Sequence, residues 1–394
     1  MDGLCQSGGM TNALSIAQIK RARWAIFAVF LWHGILIGGW VPHIPLVKDR
    51  LAAGPAVFGL ALLAIAFGSI FSMPFTGALI NRFGSARMTL AGGLLLFIGF
   101  FGPVFAPSLL VFVIGGFVMG CGLGSMDVSM NSHGLAIEKA YERPIISGLH
   151  AAWSVGCTVG AFGGSWMLQA FGPATEALIF DAVFLVGLFV ACRYLLPSSV
   201  DKGLSDSHFG WPTRHTIALG ALCFLALMVE GSVADWAGIH NTERFAVDAS
   251  LAALGFAFYQ GGMSLSRFAG DYLRHRFGAI NLVVSSAAVA AIGMALALLA
   301  PTLETAIAGY ALGGLGIGNL APVLFAGGGR LEPDAPARGV AAVVSMGYSG
   351  FLAGPPLIGF VAQITSLGTS LWLTVAGAVI IALFARSVAP ASNY

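Results

Sequence analysis

The sequence predicts an all-α integral membrane protein of twelve transmembrane helices in two pseudo-symmetric six-helix halves. Its composition, its series of apolar runs and an internal repeat all support this fold class. Of 394 residues, 57% are hydrophobic and 9% are charged, whereas about a quarter of the residues in a soluble domain are charged. The mean hydropathy of +0.87 therefore indicates a multi-pass membrane protein rather than several soluble domains.

Apolar runs bounded by charged residues or by Pro and Gly clusters predict twelve spans of about 20 residues, long enough to cross a bilayer as helices. Each is expected to be helical because lipid cannot satisfy free backbone groups, and the alternation of a barrel is absent. In chain order the spans are 22–42, 56–80, 88–106, 109–134, 145–169, 175–196, 216–239, 250–270, 279–300, 303–327, 339–364 and 367–387.

A polar segment, 197–215, divides the chain nearly in half and is expected to be a cytoplasmic linker. It separates an N-terminal half, 21–196, from a C-terminal half, 216–388. Residues 1–20 are expected to form a cytoplasmic tail, because they lack the apolar core of a cleaved secretory signal. Residues 389–394 form the second tail.

Positive charge is distributed unevenly over the loops. If the N-terminus is cytoplasmic, only Lys48, Arg50 and Arg244 of the 19 Lys and Arg residues fall on the other side. The remaining cations, Arg267 among them, are counted in cytoplasmic segments. The positive-inside rule then places both termini in the cytoplasm, as an even number of spans requires.

The two halves repeat each other with an offset of 194 or 195 residues. The offset of 194 relates Arg82, Phe83 and Gly84 to Arg276, Phe277 and Gly278, Gly120, Gly122 and Gly124 to Gly314, Gly316 and Gly318, and Glu138 to Glu332. The offset of 195 relates Arg143 to Arg338 and Ser154 to Ser349. Such parallel duplication is typical of transporters whose halves rock around a site at the bilayer midplane.

Span 4 carries polar groups where hydrocarbon is expected. Gly120, Gly124, Asp127 and Asn131 follow helical spacing and share one face. A carboxylate inside a span is costly unless it faces a cavity or a partner. Asp127 is therefore a candidate proton-coupling residue, and the structural alternative is a hydrogen bond to a neighbouring helix.

Span 7 has a second carboxylate, Glu230, near its middle. As the first span of the second half it is expected to line the cavity, so Glu230 is the other candidate for proton coupling. The structural alternative is pairing with a buried His or Arg. Asp235, beside Trp236, is expected at an outer gate or interface, and Asp181 on the outer ring of the bundle.

Aromatic and amide side chains are candidates for contact with the solute. His33 and Trp40 share a face of span 1, and an imidazole with an indole suits a polar, ring-shaped ligand. For the amides the alternative is bonding between helices. The candidate cavity residues are His33, Trp40, Asn131, His150, Trp153, Gln260, Asn319 and Tyr348.

Charged residues at the repeated loop positions predict a gate on the cytoplasmic rim. Glu138 and Glu332 are expected to pair with arginines of this rim and to close the cytoplasmic side when the cavity opens outward. The predicted gate residues are Asn81, Arg82, Arg87, Glu138, Arg143, Arg276, Glu332 and Arg338.

The stretch GALINRFGSAR, beginning at Gly77, resembles the loop motif between helices 2 and 3 of the major facilitator superfamily, and LRHRFG, from Leu273, is a weaker second copy. The resemblance in topology covers the chain after its N-terminal tail. Within the superfamily, the segments MDVSMN, HAAWS, EGSVADW and GPPLIG resemble a bacterial group that includes the rhizopine-uptake (MosC-type) proteins. More distantly, Gly122 to Asn131 is similar to a pattern in the fourth helix of fucose:proton symporters.

This resemblance implies that Asp127 occupies a proton-linked acidic position and His150 a sugar-contacting one. The chain also departs from the pattern. Trp40 stands where fucose-type symporters have an acidic residue, and Asn81 replaces the usual Asp, so its ion pair with Arg338 becomes a hydrogen bond. Gly160 is followed by Ala rather than by the Pro of the antiporter motif, which argues against drug export.

Together these features predict a secondary transporter in the bacterial inner membrane that takes up a small hydrophilic solute, sugar-like, polyol-like or amino-sugar-like, with protons. The alternatives are proton-driven efflux and, from another class, a membrane sensor or scaffold that does not translocate. HExxH, GxSxG and metal-ligand spacings are absent from the sequence, so no enzyme activity, cofactor or metal is expected. The expected partners are the solute, protons and lipid, without nucleic acid, and the expected state is a monomer.

Overall fold

A computed structural model describes residues 15–197, 213–214, 216–332 and 334–386, and in these ranges the chain is helical, without strands. The predicted linker lies largely outside the described residues, as do most of the N-terminal tail and the whole C-terminal tail. The helices are α1 Ile16–Trp40, α2 His43–Arg50, α3 Pro55–Phe83, α4 Ser85–Val104, α5 Leu109–Tyr141, α6 Ile146–Phe171, α7 Pro173–Cys192, α8 Ile217–Phe245, α9 Ala249–Ala252, α10 Leu254–Phe277, α11 Ala279–Leu299, α12 Leu303–Ile317, α13 Leu320–Leu331, α14 Pro336–Ile364, α15 Leu367–Ser370 and α16 Trp372–Phe384.

These helices form the twelve predicted spans, and the predicted fold class is confirmed. Spans 8, 10 and 12 are each broken into two helices, and α2 is a short helix that follows span 1. Ten stretches of the described chain are long and apolar enough to cross a membrane. The two spans that miss this criterion contain α6 and α10, so the most polar spans are one from each half.

The ends of two helices differ from the prediction. Span 1 begins at Ile16, because Ser15 and Gln18 form a capping box that satisfies the first free N–H groups. The predicted tail therefore ends earlier than residue 20. Span 4 continues to Tyr141, where Glu142 takes a left-handed conformation and ends α5.

The internal repeat is also a repeat of packing contacts. A Cβ on Gly120 would collide with the Ile65 carbonyl oxygen, and one on Gly314 would collide with the Tyr259 carbonyl oxygen, 194 residues further on. Close approach of backbones through small residues is a common way for membrane helices to pack. Gly84 and Gly278 match as well: both follow a helix with a positive φ, +84° and +77°.

The halves meet mainly on one side of the membrane. We call the side at which α1 begins the terminal face and the opposite side the far face. At the far face α3 and α14 cross with their backbones in contact, since a Cβ on Gly59 would meet the Pro355 carbonyl. The Phe58 and Trp236 rings also touch there, with centroids 6.2 Å apart.

Within the described residues, three hydrogen bonds join the halves. Two are at the far face, from Lys48 to Glu243 and from the Ala56 N–H to Gln363. The third, from Arg267 to Ser154, lies deep in the bundle. Between Arg267 and the terminal face, no further hydrogen bond between described residues joins the two halves. The structure is therefore closed at the far face.

Candidate functional site

Arg267, near the middle of α10, is the centre of the polar site between the halves. Its Nη1 donates a 2.7 Å hydrogen bond to Ser154 Oγ on α6, and its Nε donates to the Gly318 carbonyl oxygen at 3.3 Å. In a continuous helix that carbonyl would accept from residue 322, but Pro322 has no N–H. The break between α12 and α13 thus supplies an acceptor for Arg267.

Glu230, near the middle of α8, is the charged partner of Arg267. Its Oε1 lies 3.9 Å from Arg267 Nη2, and the two side chains are 15% and 18% exposed. The separation is that of a loose ion pair rather than a hydrogen bond. Pairing with an Arg was the structural alternative for Glu230, and the structure has this contact in a position that solvent can reach.

The charge count that placed Arg267 in a cytoplasmic segment was wrong. The residue lies inside the membrane, where a charged side chain is retained when it pairs or faces a water-filled cavity. The sequence did contain a signal, because Arg267 falls within predicted span 8. The predicted span ends at residue 270, whereas α10 continues to Phe277, which leaves Arg267 near the middle of the helix.

Asp127 and Tyr348 extend the polar site toward α5 and α14. Asn131 Nδ2 donates to Asp127 Oδ1 at 3.1 Å, and within the described chain no cationic side chain pairs with this carboxylate. The Tyr348 hydroxyl is within electrostatic range of both Asp127 and Glu230, which belong to different halves. Because Tyr348 is nevertheless 39% exposed, it lies on an open cleft between the halves.

His33 and Trp153 form a rigid wall of the same region. Trp153 Nε1 donates a 2.9 Å hydrogen bond to His33 Nδ1, so this imidazole nitrogen is an acceptor and carries no proton. The two helices approach closely here, since a Cβ on Gly34 would collide with the Trp153 carbonyl. His33 Nε2 is buried without a hydrogen-bond partner among the described residues.

His150 lies one turn before Trp153 on α6, and its ring is exposed. It makes an edge contact with Phe30, with ring centroids 5.5 Å apart, and lies within electrostatic range of Arg267. The structure thus brings seven predicted site residues into one region, together with the unpredicted Arg267: His33, Asp127, Asn131, His150, Trp153, Glu230 and Tyr348.

Three other predicted cavity residues are buried in helix contacts. Trp40 lies toward the far face, 5% exposed, with its ring 6.4 Å from that of Phe112. Asn319 donates a 2.8 Å hydrogen bond to Ser266 on α10. This is the bonding between helices that the sequence analysis gives as the alternative to solute contact. Gln260 is also buried, on α10. In this state these residues shape the helices around the cleft, and their contact with solute stays a prediction.

Among the described residues, the rim glutamates have partners other than the predicted rim arginines. Glu138 accepts hydrogen bonds from the N–H groups of Ile145 and Ile146 at the start of α6, and Glu332 accepts one from Thr213. Three of the rim arginines lie over neighbouring aromatic rings: Arg82 over Phe83, Arg143 over Tyr141 and Arg276 over Phe277. Asn81, Arg87 and Arg338 are exposed. The predicted pairing concerns the state in which this face is closed, and it stays a prediction.

Two acidic residues of α7 differ from the sequence analysis: Asp181 lies elsewhere than expected, and Glu176 was not identified as a residue with a partner. Asp181 is fully buried rather than on the outer ring, because it shares an inward helical face with Ala177, Phe184 and Leu188. Glu176, which the sequence analysis does not single out, lies 2.5 Å from His43 Nε2 in a buried hydrogen bond. Glu176 stands at the start of span 6 with no pattern around it that indicates a partner.

Comparison with known proteins agrees with this architecture. A family model described as the Major Facilitator Superfamily matches residues 24–229. An uncharacterized MFS-type transporter of Yersinia pestis is 31% identical over 364 residues, covering 91% of this chain and 94% of the relative. The membrane protein MosC of Rhizobium meliloti is 29% identical, with 91% and 88% covered.

Two solved structures show the same fold at low sequence identity. The nucleoside transporter NupG superimposes with a TM-score of 0.72 at 12% identity, covering 93% of this chain and 98% of NupG. A variant of the E. coli fucose:proton symporter FucP gives a TM-score of 0.61 at 17% identity, covering 95% and 99%. With its two repeated halves, its central polar site and these relatives, the chain belongs to the major facilitator superfamily of transporters.

Proposed function

We propose that the protein is a secondary active transporter that carries a small hydrophilic solute across the bacterial inner membrane by alternating access, with uptake coupled to protons. The observation that carries this proposal is the Arg267 cluster, because it joins Ser154 of one half to Glu230 of the other half within the membrane. Groups that link the two halves at the site are the ones whose bonding must change when the halves rock.

The coupling follows from the charges. Ionised Glu230 neutralises Arg267, whereas a proton on Glu230 removes that countercharge and leaves the guanidinium in need of another acceptor. A hydroxyl-rich solute can supply acceptor oxygens in place of Ser154. Proton binding and solute binding then favour each other, and the solute weakens the bond between the halves because it takes the place of Ser154.

Asp127 is the second proton site that we propose. It faces the same cleft and has Asn131 and Tyr348 close by rather than a cation. Trp153 and Tyr348 provide aromatic surfaces, and His150 a hydrogen-bonding edge, for a polar ring. This set suits a sugar, polyol or amino-sugar, in keeping with the symporter and nucleoside transporter named among the structural relatives.

The distribution of Lys and Arg supports cytoplasmic termini, even with Arg267 removed from the count. The terminal face is then the cytoplasmic one and the far face the periplasmic one. Proton-driven efflux would use the same residues, with solute and protons moving in opposite directions. A sensor that does not translocate would keep the cleft but not the coupling.

Proteoliposomes with an internal pH-sensitive dye test the proposal. Pools of sugars, polyols and amino-sugars are added outside, and proton entry is followed for the native protein, Asp127→Asn and Glu230→Gln. Glu304→Gln, an exposed residue at the start of α12, is the matched control. We expect solute-dependent proton entry that at least one cavity variant loses and the control keeps.

Two other outcomes separate the alternatives. If addition of solute outside causes protons to leave the proteoliposomes, and an inwardly directed proton gradient fails to drive solute accumulation, the protein is an efflux transporter. Ligand-induced thermal stabilisation without any flux would indicate a sensor, and it would contradict the proposed transport.

A further inference from the structure

A groove of about 780 Å³ runs between α1 and α7 on the outside of the N-terminal half. It extends from Arg21 and Tyr194 near the terminal face to Trp32 and Ile179 deeper in the bundle. Along α1 this is roughly 16 Å at the helical rise of about 1.5 Å per residue. One leaflet of a bilayer has hydrocarbon of similar depth, about 15 Å. The groove is therefore as long as the acyl region of the leaflet that it faces.

Small side chains account for the space in the groove. Ala25 and Ala28 on α1 face Ala182 and Gly187 on α7, where larger residues would close the gap. Trp32 forms the inner end, since its indole is seated against Gly187 and a Cβ there would collide with the ring. The resulting channel is apolar over its length and separate from the Arg267 site.

Charge is confined to one end of the groove. Arg21 is its only charged lining residue, and its guanidinium lies 5.7 Å from the centroid of the Tyr194 ring. Within the part of the chain that the structure describes, no carboxylate pairs with Arg21. Lys20 and Arg193, next to these residues in sequence, are also exposed. Among the residues that the structure describes, the mouth is thus a cationic cluster without a paired carboxylate.

The aromatic residues mark the level of the mouth in the membrane. Trp24 is 65% exposed and Tyr194 is 43% exposed, and such residues concentrate where hydrocarbon meets the headgroups. Arg21 therefore lies at the depth of lipid phosphates, while the apolar channel continues into the hydrocarbon.

We propose that this groove binds an anionic phospholipid, with one acyl chain in the channel and the headgroup phosphate at Arg21. The length of the groove matches an acyl chain, and the charge of the mouth complements a lipid of net negative charge. A zwitterionic lipid would bring its own cation toward Lys20 and Arg193, so it binds less well. Basic pockets at this depth are a general way for membrane proteins to select anionic lipids.

Native mass spectrometry of the detergent-purified protein tests the assignment, with phosphatidylglycerol and phosphatidylcholine of identical acyl chains as probes. We expect the native protein to retain phosphatidylglycerol in preference to phosphatidylcholine. Arg21→Gln should reduce that preference by about fivefold, the factor expected for one cationic residue. Ala182→Trp, at an exposed lining position, should fill the channel and reduce retention of both lipids.

Matched controls are Arg386→Gln, another exposed arginine next to a helix end, and Ala78→Trp, an exposed alanine of α3 outside the groove. Both should behave as the native protein. Equal retention of the two lipids, or an equal effect of Arg386→Gln and Arg21→Gln, would overturn the proposal. A protein dimer that Ala182→Trp abolishes, without retained lipid, would assign the groove to a second copy instead.

Discussion

The Lys48 ammonium lies 3.0 Å from the Glu243 carboxylate, across the boundary between the halves at the far face. Lys48 is on α2, the short helix that follows span 1, and Glu243 is near the end of α8. On the same helix, Pro45 lies against Gly238 of α8. The short helix α2 is thus part of the N-terminal half but closes over the C-terminal half.

Replacing Lys48 by Gln should favour opening of the far face by a small factor. Glu243 is 49% exposed, and ion pairs of this kind contribute about 0.5 kcal/mol, so we expect roughly a twofold shift in population. Distances between spin labels at Thr175 and Glu304, in a background without the five native cysteines, measure this shift. Asp49→Asn, on the same helix, should leave the distribution unchanged, and a similar change in both variants would argue against the ion pair.

The buried pair of His43 and Glu176 should matter for stability rather than for opening, because both residues belong to the N-terminal half. Removal of Glu176 leaves the buried His43 imidazole without its hydrogen-bond partner, which costs about 1–3 kcal/mol. We expect Glu176→Ala to lower the unfolding temperature in detergent strongly. Glu176→Gln, which keeps a hydrogen-bonding group for the imidazole, should lower it less. Equal unfolding temperatures for these two variants would show that the hydrogen bond contributes nothing.

The fold was predictable because its determinants are local or repeated. Apolar runs fix the spans, and the offset of 194 residues relates glycines whose packing contacts match as well, such as Gly120 and Gly314. The face of span 4 was also predictable, since helical spacing alone puts Asp127 and Asn131 together.

The parts of the site that the sequence left open depend on long-range geometry. Arg267 contacts Ser154, 113 residues away, and no pattern in the sequence indicates that these two side chains meet. Trp40 shares a helical face with His33, but the closed far face removes it from the cleft in this state. The partner of Glu176 is 133 residues distant. In each case the tertiary arrangement, not the local sequence, decides the contact.

Alanine at the repeated glycines should destabilise both halves by a similar mechanism. At Gly120 and Gly314 the new Cβ would meet backbone carbonyls, which cannot move as a flexible side chain can, and overpacking of this kind costs about 1–3 kcal/mol. Thermal unfolding in detergent measures the effect.

Gly163→Ala is the control, because its Cβ would lie at an ordinary 3.7 Å from Phe180. That variant should be neutral or more stable, by up to about 1 kcal/mol from helix propensity. If Ala at Gly120 left the unfolding temperature unchanged while Ala at Gly314 lowered it, the two glycines would not be equivalent in packing.

Arg267 and Glu230 should show strongly non-additive effects on stability. Arg267→Gln leaves a carboxylate in the membrane without its cation, and Glu230→Gln leaves a guanidinium without its anion. Because both side chains are partly exposed and 3.9 Å apart, we expect each single change to cost about 1–3 kcal/mol rather than the full penalty of a buried pair. The double variant loses both charges, so it should be more stable than the sum of the single effects predicts.

The double variant also separates stability from coupling. If Glu230 carries the proton, a double variant that folds as well as the native protein still cannot exchange a proton at this position. We therefore expect it to show no solute-dependent proton entry in proteoliposomes. Ser154→Ala, which removes the neutral partner of Arg267 in the other half, should keep that proton entry while weakening the link between the halves. Proton entry retained in the double variant would instead assign coupling to Asp127, the remaining carboxylate of the cleft for which we propose a proton.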